Sequence, residues 1–194
     1  HKYGQLTEAF AGLRSVLNSP QYKENSKSIL IASSAPEEGK TIVSCNLAIG
    51  SAKSGLKTLL LDFDMRRPRL PGIFGQPDEG RSLLKTLGEG AAERFAMLPM
   101  PTECENLHVV TTRSTDEGNP AEVMAGQIIG EFFEWAAAHY DRIIVDSPPF
   151  GIVSDSAVLA TTVQSVILVC RPERTRRRNS RHAVRHFGEM GANV

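Results

Sequence analysis

The feature that most narrows the fold of this chain is a set of short, continuously apolar runs, each stopping abruptly. Ile29, Leu30, Ile31 and Ala32 lie inside Ser28–Ser33, Thr58 to Leu61 stops at Asp62, Ile143 to Val145 stops at Asp146, and Val166 to Cys170 is the fourth. A strand with one face in water alternates apolar and polar residues, whereas a strand apolar at every position is covered on both faces, as in parallel sheets. Helical spacing fills the intervals. Leu6, Phe10, Leu13 and Leu17 recur behind Thr7, a candidate cap, and predict a helix over 6–18 that ends at Asn18, Ser19 and Pro20. Further helices are expected over Thr41 to Lys53, closed by Gly55, over Arg81 to Leu87, and over Pro120 to His139 as one long or two abutting helices. A last one runs from Thr175 to Phe187, closed by Gly188. Phe132, Phe133 and Trp135 fit a buried helix face. Leu107 to Thr111 reads as a weaker strand, and residues 63–106, rich in Pro and Gly, as a long loop with small helices over one edge of the site. Alternating strands and helices predict an α/β fold with a doubly wound, mostly parallel sheet flanked by helices. At 194 residues it forms a single domain over 1–194.

Composition serves mainly to exclude. Twenty-two basic residues balance 22 acidic ones, so no global field draws the chain to nucleic acid, although basic residues are concentrated between Arg171 and Arg185. No apolar run approaches the ~20 residues of a membrane span. Cys45, Cys104 and Cys170 are far apart, odd in number and without a C-x-x-C, which excludes a disulfide framework or zinc site and predicts reduced core thiols in a cytoplasmic protein. His182 and His186 stand four apart but lack a third metal ligand. His1 and Lys2 run directly into a helical pattern, the expected look of a cut end of a longer protein.

The chemistry lies where strands end. Ser34-Ala-Pro-Glu-Glu-Gly-Lys-Thr41 sits between a strand and a helix, the context in which a Gly-Lys-Thr sequence forms a phosphate loop. Ser34, Ala35, Pro36, Glu37, Glu38, Gly39, Lys40, Thr41 and Ile42 are therefore the expected nucleotide-binding residues. Main-chain amides and the helix N-terminus hold phosphate oxygens, Lys40 sets a charge at the outer phosphates, and the Thr41 hydroxyl ligates Mg2+. Gly39 is small enough for close approach. Ser34 stands where the pattern has a leading Gly, and Glu37 adds a carboxylate to a loop meant for anions, an expected drag on affinity. Asp62 and Asp64, at i and i+2, share a face if the strand persists through Asp64. Asp146 is delivered to the same edge, and the Ser-Pro-Pro after it cannot start a helix at once.

Three segments together resemble the Walker A, Walker A′ and Walker B set of the bacterial tyrosine kinases: Ser34 to Thr41, the hydrophobic-Asp-x-Asp-x-Arg stretch 59–66, and the hydrophobic-Asp-x-Pro stretch 143–149. The likeness runs on through Glu8-Ala-Phe, Leu13-Arg14, Arg66-Arg-Pro68, Phe74-Gly75, Asn119-Pro-Ala-Glu122 and Asp155. What the resemblance implies is a P-loop NTPase that moves a phosphoryl group from ATP to tyrosine hydroxyls on its own or a neighbouring subunit's tail, in the control of capsule or exopolysaccharide export. The implied catalytic residues are Lys40, Asp62, Asp64 and Arg66, with Asp62 as base or metal-water ligand and Asp64 as its partner in either order. Mg2+ would be held by Thr41, Asp62 and Asp146. The resemblance also implies a homo-oligomeric ring joined through the first helix, residues 1–20, a membrane activator domain of the polysaccharide co-polymerase type as partner, and a place at the inner face of the membrane. In the family's Glu-x-x-Arg-x-x-Arg pattern, Glu8 and Arg14 are kept and Ala11 takes the middle position. Tyrosines occur only at 3, 22 and 140.

Two rival functions fit parts of the pattern. A switch ATPase of the chromosome-partitioning or division-site type carries a signature Lys where Ala35 stands. A nucleotide-binding assembly module fits Glu37, Ala11 and the missing tyrosine cluster. The arginine run reads as a solvated helix face, with contact to an acidic partner or, at Arg171, to the nucleotide base as functional alternatives.

Overall fold

The computed structural model describes residues 2–64, 67–75, 83–89, 92–112, 123, 126–150 and 155–194, with only the backbone of 2–6, 88 and 155–157. Arg66, Asn119, Pro120, Glu122 and Arg81 lie outside the described residues, so the expectations placed on them are not addressed by it.

The elements in chain order are α1 (Lys2–Leu17), β1 (Ser28–Ser33), α2 (Lys40–Lys53), β2 (Thr58–Asp62), α3 (Leu70–Ile73), α4 (Leu83–Gly88), β3 (Met100–Pro101) and β4 (Leu107–Val110). They continue as α5 (Ile128–His139), β5 (Arg142–Asp146), α6 (Asp155–Thr162), β6 (Ser165–Val169) and α7 (Arg177–Glu189), with 3-10 turns at Lys23–Asn25 and Ala92–Met97. The six strands form one sheet in the order β3-β4-β2-β5-β1-β6. Every pairing is parallel except that of the edge strand β3 with β4. The doubly wound expectation is met.

Alternation along each strand sends neighbouring residues to opposite faces, and two cores result. Ile29, Ile31, Leu60 and Ile144 face α2 with Leu47, Ala48 and Ala52. Leu30, Ala32, Leu59, Leu61, Ile143 and Val145 face the other layer, where Phe132, Ala136, Leu159, Ala183 and Phe187 from α5, α6 and α7 close over them. This is why those runs are apolar throughout. Phe132 and Phe133 are buried and Trp135 packs partly against them, as the spacing predicts. Truncating a fully buried ring such as Phe132 to Ala costs about 3–5 kcal/mol.

The structure corrects several boundaries. Thr7 sits inside α1 rather than capping it, because the helix begins at Lys2. The last helix starts at Arg177, leaving Thr175 in a turn, and runs past Gly188 to Glu189. Within 63–106 the described residues hold small helices, as expected, and these carry Leu70, Leu83, Leu84, Leu87 and Phe95 into the core, with Leu98 buried just beyond them. The α6 helix had no clear periodic signal. Of the three cysteines, only Cys45 is a core thiol; Cys104 is half-buried and Cys170 exposed. Arg14 packs α1 on α2, its guanidinium donating to the Gly50 carbonyl at 2.7 Å. A Cβ on Gly50 would lie 2.6 Å from that guanidinium, so a side chain there would displace the flexible end of Arg14 and this hydrogen bond with it.

Candidate active site

The phosphate loop leaves β1 at Ser33 and enters α2 at Lys40 through Gly39, whose φ of +101° is left-handed. An L side chain there costs roughly 1–2 kcal/mol. Among protein atoms the space around Gly39 is open, so within the protein itself the requirement for glycine is conformational. Glu37 adopts a φ of +61°, and the loop is braced from outside. Its carboxylate accepts from Arg174 at 3.2 Å, its carbonyl from Arg171 at 3.3 Å. Glu38 is buried; its carboxylate accepts from the Ala35 amide at 3.0 Å, from the Ser34 hydroxyl at 3.3 Å, and from the Thr175 hydroxyl. Ser34, the departure from glycine, thus serves as a donor within the loop. Glu37 points its charge to an arginine rather than into the loop.

Lys40 is buried at the start of α2, its ammonium donating to the Ser33 hydroxyl at 2.9 Å. Burial lowers its pKa, opposed by Asp146, Asp64 and Glu38. Asp62 and Asp146 are register partners at the ends of neighbouring parallel strands, a spacing of ~4.8 Å between strands. Sharing the parity of Leu60 and Ile144, both point to the α2 side. Asp146 accepts from the Ser44 hydroxyl at 3.0 Å and from Thr41. Burial, then the neighbouring Asp146, pushes Asp62 up to about 8; burial likewise raises Asp146 to about 6, with the Thr41 and Ser44 hydroxyls pulling it back.

Strand β2 ends at Asp62, so Asp64 does not continue its face. Asp62 is wholly buried: its oxygens accept the Asp64 amide at 3.2 Å and the Arg69 and Leu70 amides at 3.1 Å. It therefore ties the 63–70 segment to the strand end. Asp64 is half-buried and lines a cavity of about 490 Å3 with Pro36, Gly39, Lys40, Thr41 and Pro149. Burial raises its pKa, while the Arg67 amide and the Lys40, Arg69 and Arg67 charges lower it. The structure so brings together the expected loop residues 34–42, Asp62, Asp64 and Asp146, and sets Arg171 against the loop. Ile42 is 61% exposed at the cavity rim.

Sequence reasoning missed Ser33, Ser44, Arg67, Arg69 and Thr175. Ser44 had a signal, one helical turn beyond Lys40; Thr175, distant in sequence, had none. The oxygens of Thr41, Ser44 and Asp146 next to a loop of amides suit a hard cation and the phosphates it accompanies. Among the described residues no group of three or more His, Cys, Asp or Glu side chains forms a metal cage.

Parallel sheet, phosphate loop and paired strand-end aspartates are the parts of a P-loop NTPase, and a ParA family model, described as NUBPL iron-transfer P-loop NTPase, matches residues 24–194. Over 165 residues the chain is 33% identical to the tyrosine-protein kinase CpsD of Streptococcus pneumoniae serotype 4, covering 85% of this chain and 71% of that protein. Within the P-loop class the chain belongs to the bacterial tyrosine-kinase family. It is 30% identical to the tyrosine-protein kinase Etk of Escherichia coli K12 over 84% of its length, but spans only 22% of Etk. The solved kinase domain of Etk superposes with a TM-score of 0.88 at 27% identity, covering 97% of this chain and 72% of that one. The septum site-determining protein MinD of Pyrococcus horikoshii shares the fold, with a TM-score of 0.73 and 21% identity over 87% and 67% of the two chains.

Proposed function

We propose that the chain is an ATP-dependent protein-tyrosine kinase acting in capsular or exopolysaccharide synthesis and export. One observation carries the reading: a half-exposed carboxylate, Asp64, shares a cavity with Lys40 and Thr41, beside the buried pair Asp62 and Asp146. Residues 34–42 hold the phosphates of ATP, with Arg171 near the base. Lys40 turns from Ser33 to the outer phosphates. Thr41 and Asp146 hold Mg2+, which when bound neutralises charge on the phosphoryl group and orients it. Asp64 takes the proton of the incoming tyrosine hydroxyl as its oxygen bonds to phosphorus and ADP departs. Asp62, with both oxygens engaged by amides, positions Asp64; Arg66 completes the set as a charge for the transferring group.

The acceptor is a tyrosine tail of its own or a neighbouring subunit, in a homo-oligomer that uses α1. Glu8 is exposed on α1 and Ala11 half-buried, while Arg14 is engaged with α2. A membrane activator domain of a polysaccharide co-polymerase is the partner, and the working place is the cytoplasmic face of the membrane. No described helix is long and apolar enough to cross a membrane.

The test incubates the protein with Mg2+, ATP and a tyrosine-rich peptide and detects phosphotyrosine, with Lys40→Met and Asp64→Asn as controls. Signal in the parent and loss in both variants is the expected result. Phosphate release without phosphotyrosine would replace the kinase with a switch ATPase; nucleotide binding with neither product would leave an assembly module.

A further inference from the structure

A second cavity, about 920 Å3, opens between Phe150 and α7. It borders the phosphate loop through Ser34 and, among the described residues, shares no lining residue with the cavity of Lys40 and Asp64. Its wall carries Arg176, Arg178, Arg181 and Arg185, the last three at helical spacings that align them in one stripe. From 171 to 188 the chain has seven arginines and a single acid, Glu173.

The cavity arginines Arg176, Arg178, Arg181 and Arg185 are all exposed, as a solvated helix face requires, but their clustering around one hollow goes beyond that. Like charges three or four residues apart destabilise a helix by a few tenths of a kcal/mol per pair, and α7 packs on the core through Ala183 and Phe187 alone. Among the described residues the four cavity arginines have no ion pair; in this region the one formed is Arg174 with Glu37, outside the cavity. Four exposed arginines therefore line one hollow, with no acidic side chain among its described lining residues.

The hollow also has an aromatic side. The half-buried Phe150 ring lies 5.9 Å from His182 and 5.1 Å from His186, centre to centre, and rests on the buried Phe187 at 5.0 Å. Guanidinium forks match phosphate oxygens in pairs. A ring set against Phe150 gains offset or edge contacts, and an overlying arginine adds cation–π attraction.

We propose that this cavity binds a phosphotyrosine side chain on a protein segment. The inference rests on the kinase reading, since that ligand is the kinase's product. A segment bound here is retained beside the phosphate loop without occupying the nucleotide cavity. Duplex nucleic acid fits less well, because the arginines surround a hollow on one short helix and the chain as a whole carries no net charge.

The experiment titrates the chain, without ATP, with one synthetic fluorescent peptide in phosphotyrosine, phosphoserine and unphosphorylated forms, and with a short DNA duplex. The phosphotyrosine form is expected to bind at least about tenfold more tightly than the other two peptides. Arg181→Ala with Arg185→Ala should lose about tenfold of that affinity while ATP binding, measured by calorimetry, stays at the parent value. Phe150→Leu should narrow the preference for phosphotyrosine over phosphoserine. Equal binding of the three peptides, tighter binding of DNA than of peptide, or an unchanged affinity in the double variant overturns the proposal. Because the peptide is supplied already phosphorylated, the outcome is separable from whether the chain itself makes phosphotyrosine.

Discussion

The two ends of the central sheet both bury ionisable groups, yet among the described residues only the C-terminal end sets two buried acids side by side next to a cavity. At the C-terminal end, Asp62 and Asp146 stand side by side, with Lys40 and Asp64 around them and a cavity alongside. At the N-terminal end, Arg142 is equally buried at 5% exposure, held by one hydrogen bond to Asn18 at 2.8 Å, with its Nε unpartnered. Nearby groups there are satisfied locally: the Lys57 amide by Asp141 at 2.9 Å, the Lys27 amide by Gln164 at 2.8 Å. Buried charge alone is therefore a poor marker of function. Convergence of like charges next to a cavity is the better one, because it costs stability unless the acids keep protons or a cation is bound.

Four predictions break or sharpen that contrast. The largest effect belongs to Lys40→Met, which should cut phosphotyrosine formation at least ~100-fold while the thermal midpoint holds; retained activity would dissolve the functional end. The next concerns pH. The folded-state pKa values of Asp62 and Asp146 lie above the unfolded value, so the ligand-free fold keeps protons that the unfolded chain has lost. That stabilisation is complete at low pH and fades as pH rises through the folded values. Between pH 6 and 8 the midpoint should fall by roughly 2–4 °C for each kcal/mol lost, and Asp146→Asn should flatten the fall; a slope identical to the parent's would mean the pair is not coupled.

The third prediction attacks the other end. Arg142→Met removes a buried, incompletely paired charge, and should shift stability by no more than about 1 kcal/mol in denaturant titration with nucleotide affinity intact. A drop in affinity would show that the two ends are not independent. The smallest effect is that of Glu37→Ala. Its pair with Arg174 is exposed on both sides, so stability should change by about 0.2–1 kcal/mol, and calorimetry should find ATP binding no weaker than the parent's.

Much of this was legible in the chain. The apolar runs of β1, β2 and β5 predicted covered parallel strands because burial on both faces leaves no polar position, whereas the fourth run, β6, is a partly buried edge strand; the motif between strand and helix predicted the phosphate loop because few other sequences make that turn. Asp62 and Asp146 were legible as strand-end acids. Their adjacency was not, since it depends on β2 and β5 being neighbours in an order, β4-β2-β5-β1, that no local pattern encodes. The long segment after Asp64 was legible in part: Leu83 and Leu87, four apart, lie in the expected helix α4, whereas Phe95 and Leu98 are buried around a short 3-10 turn whose spacing matches neither strand nor helix.

Sequence alone determined most of the central strands and helices and which residue types reach the sheet's C-terminal edge, because periodicity, loop chemistry and strand termination are local properties of the chain. Tertiary structure alone decided how the acids divide their work. It seals Asp62 under three amides, leaves Asp64 open to the cavity, and joins Glu38 to Thr175 across 137 positions. Burial and partnership are set by what the rest of the chain packs against a residue, and that information is spread over the whole fold.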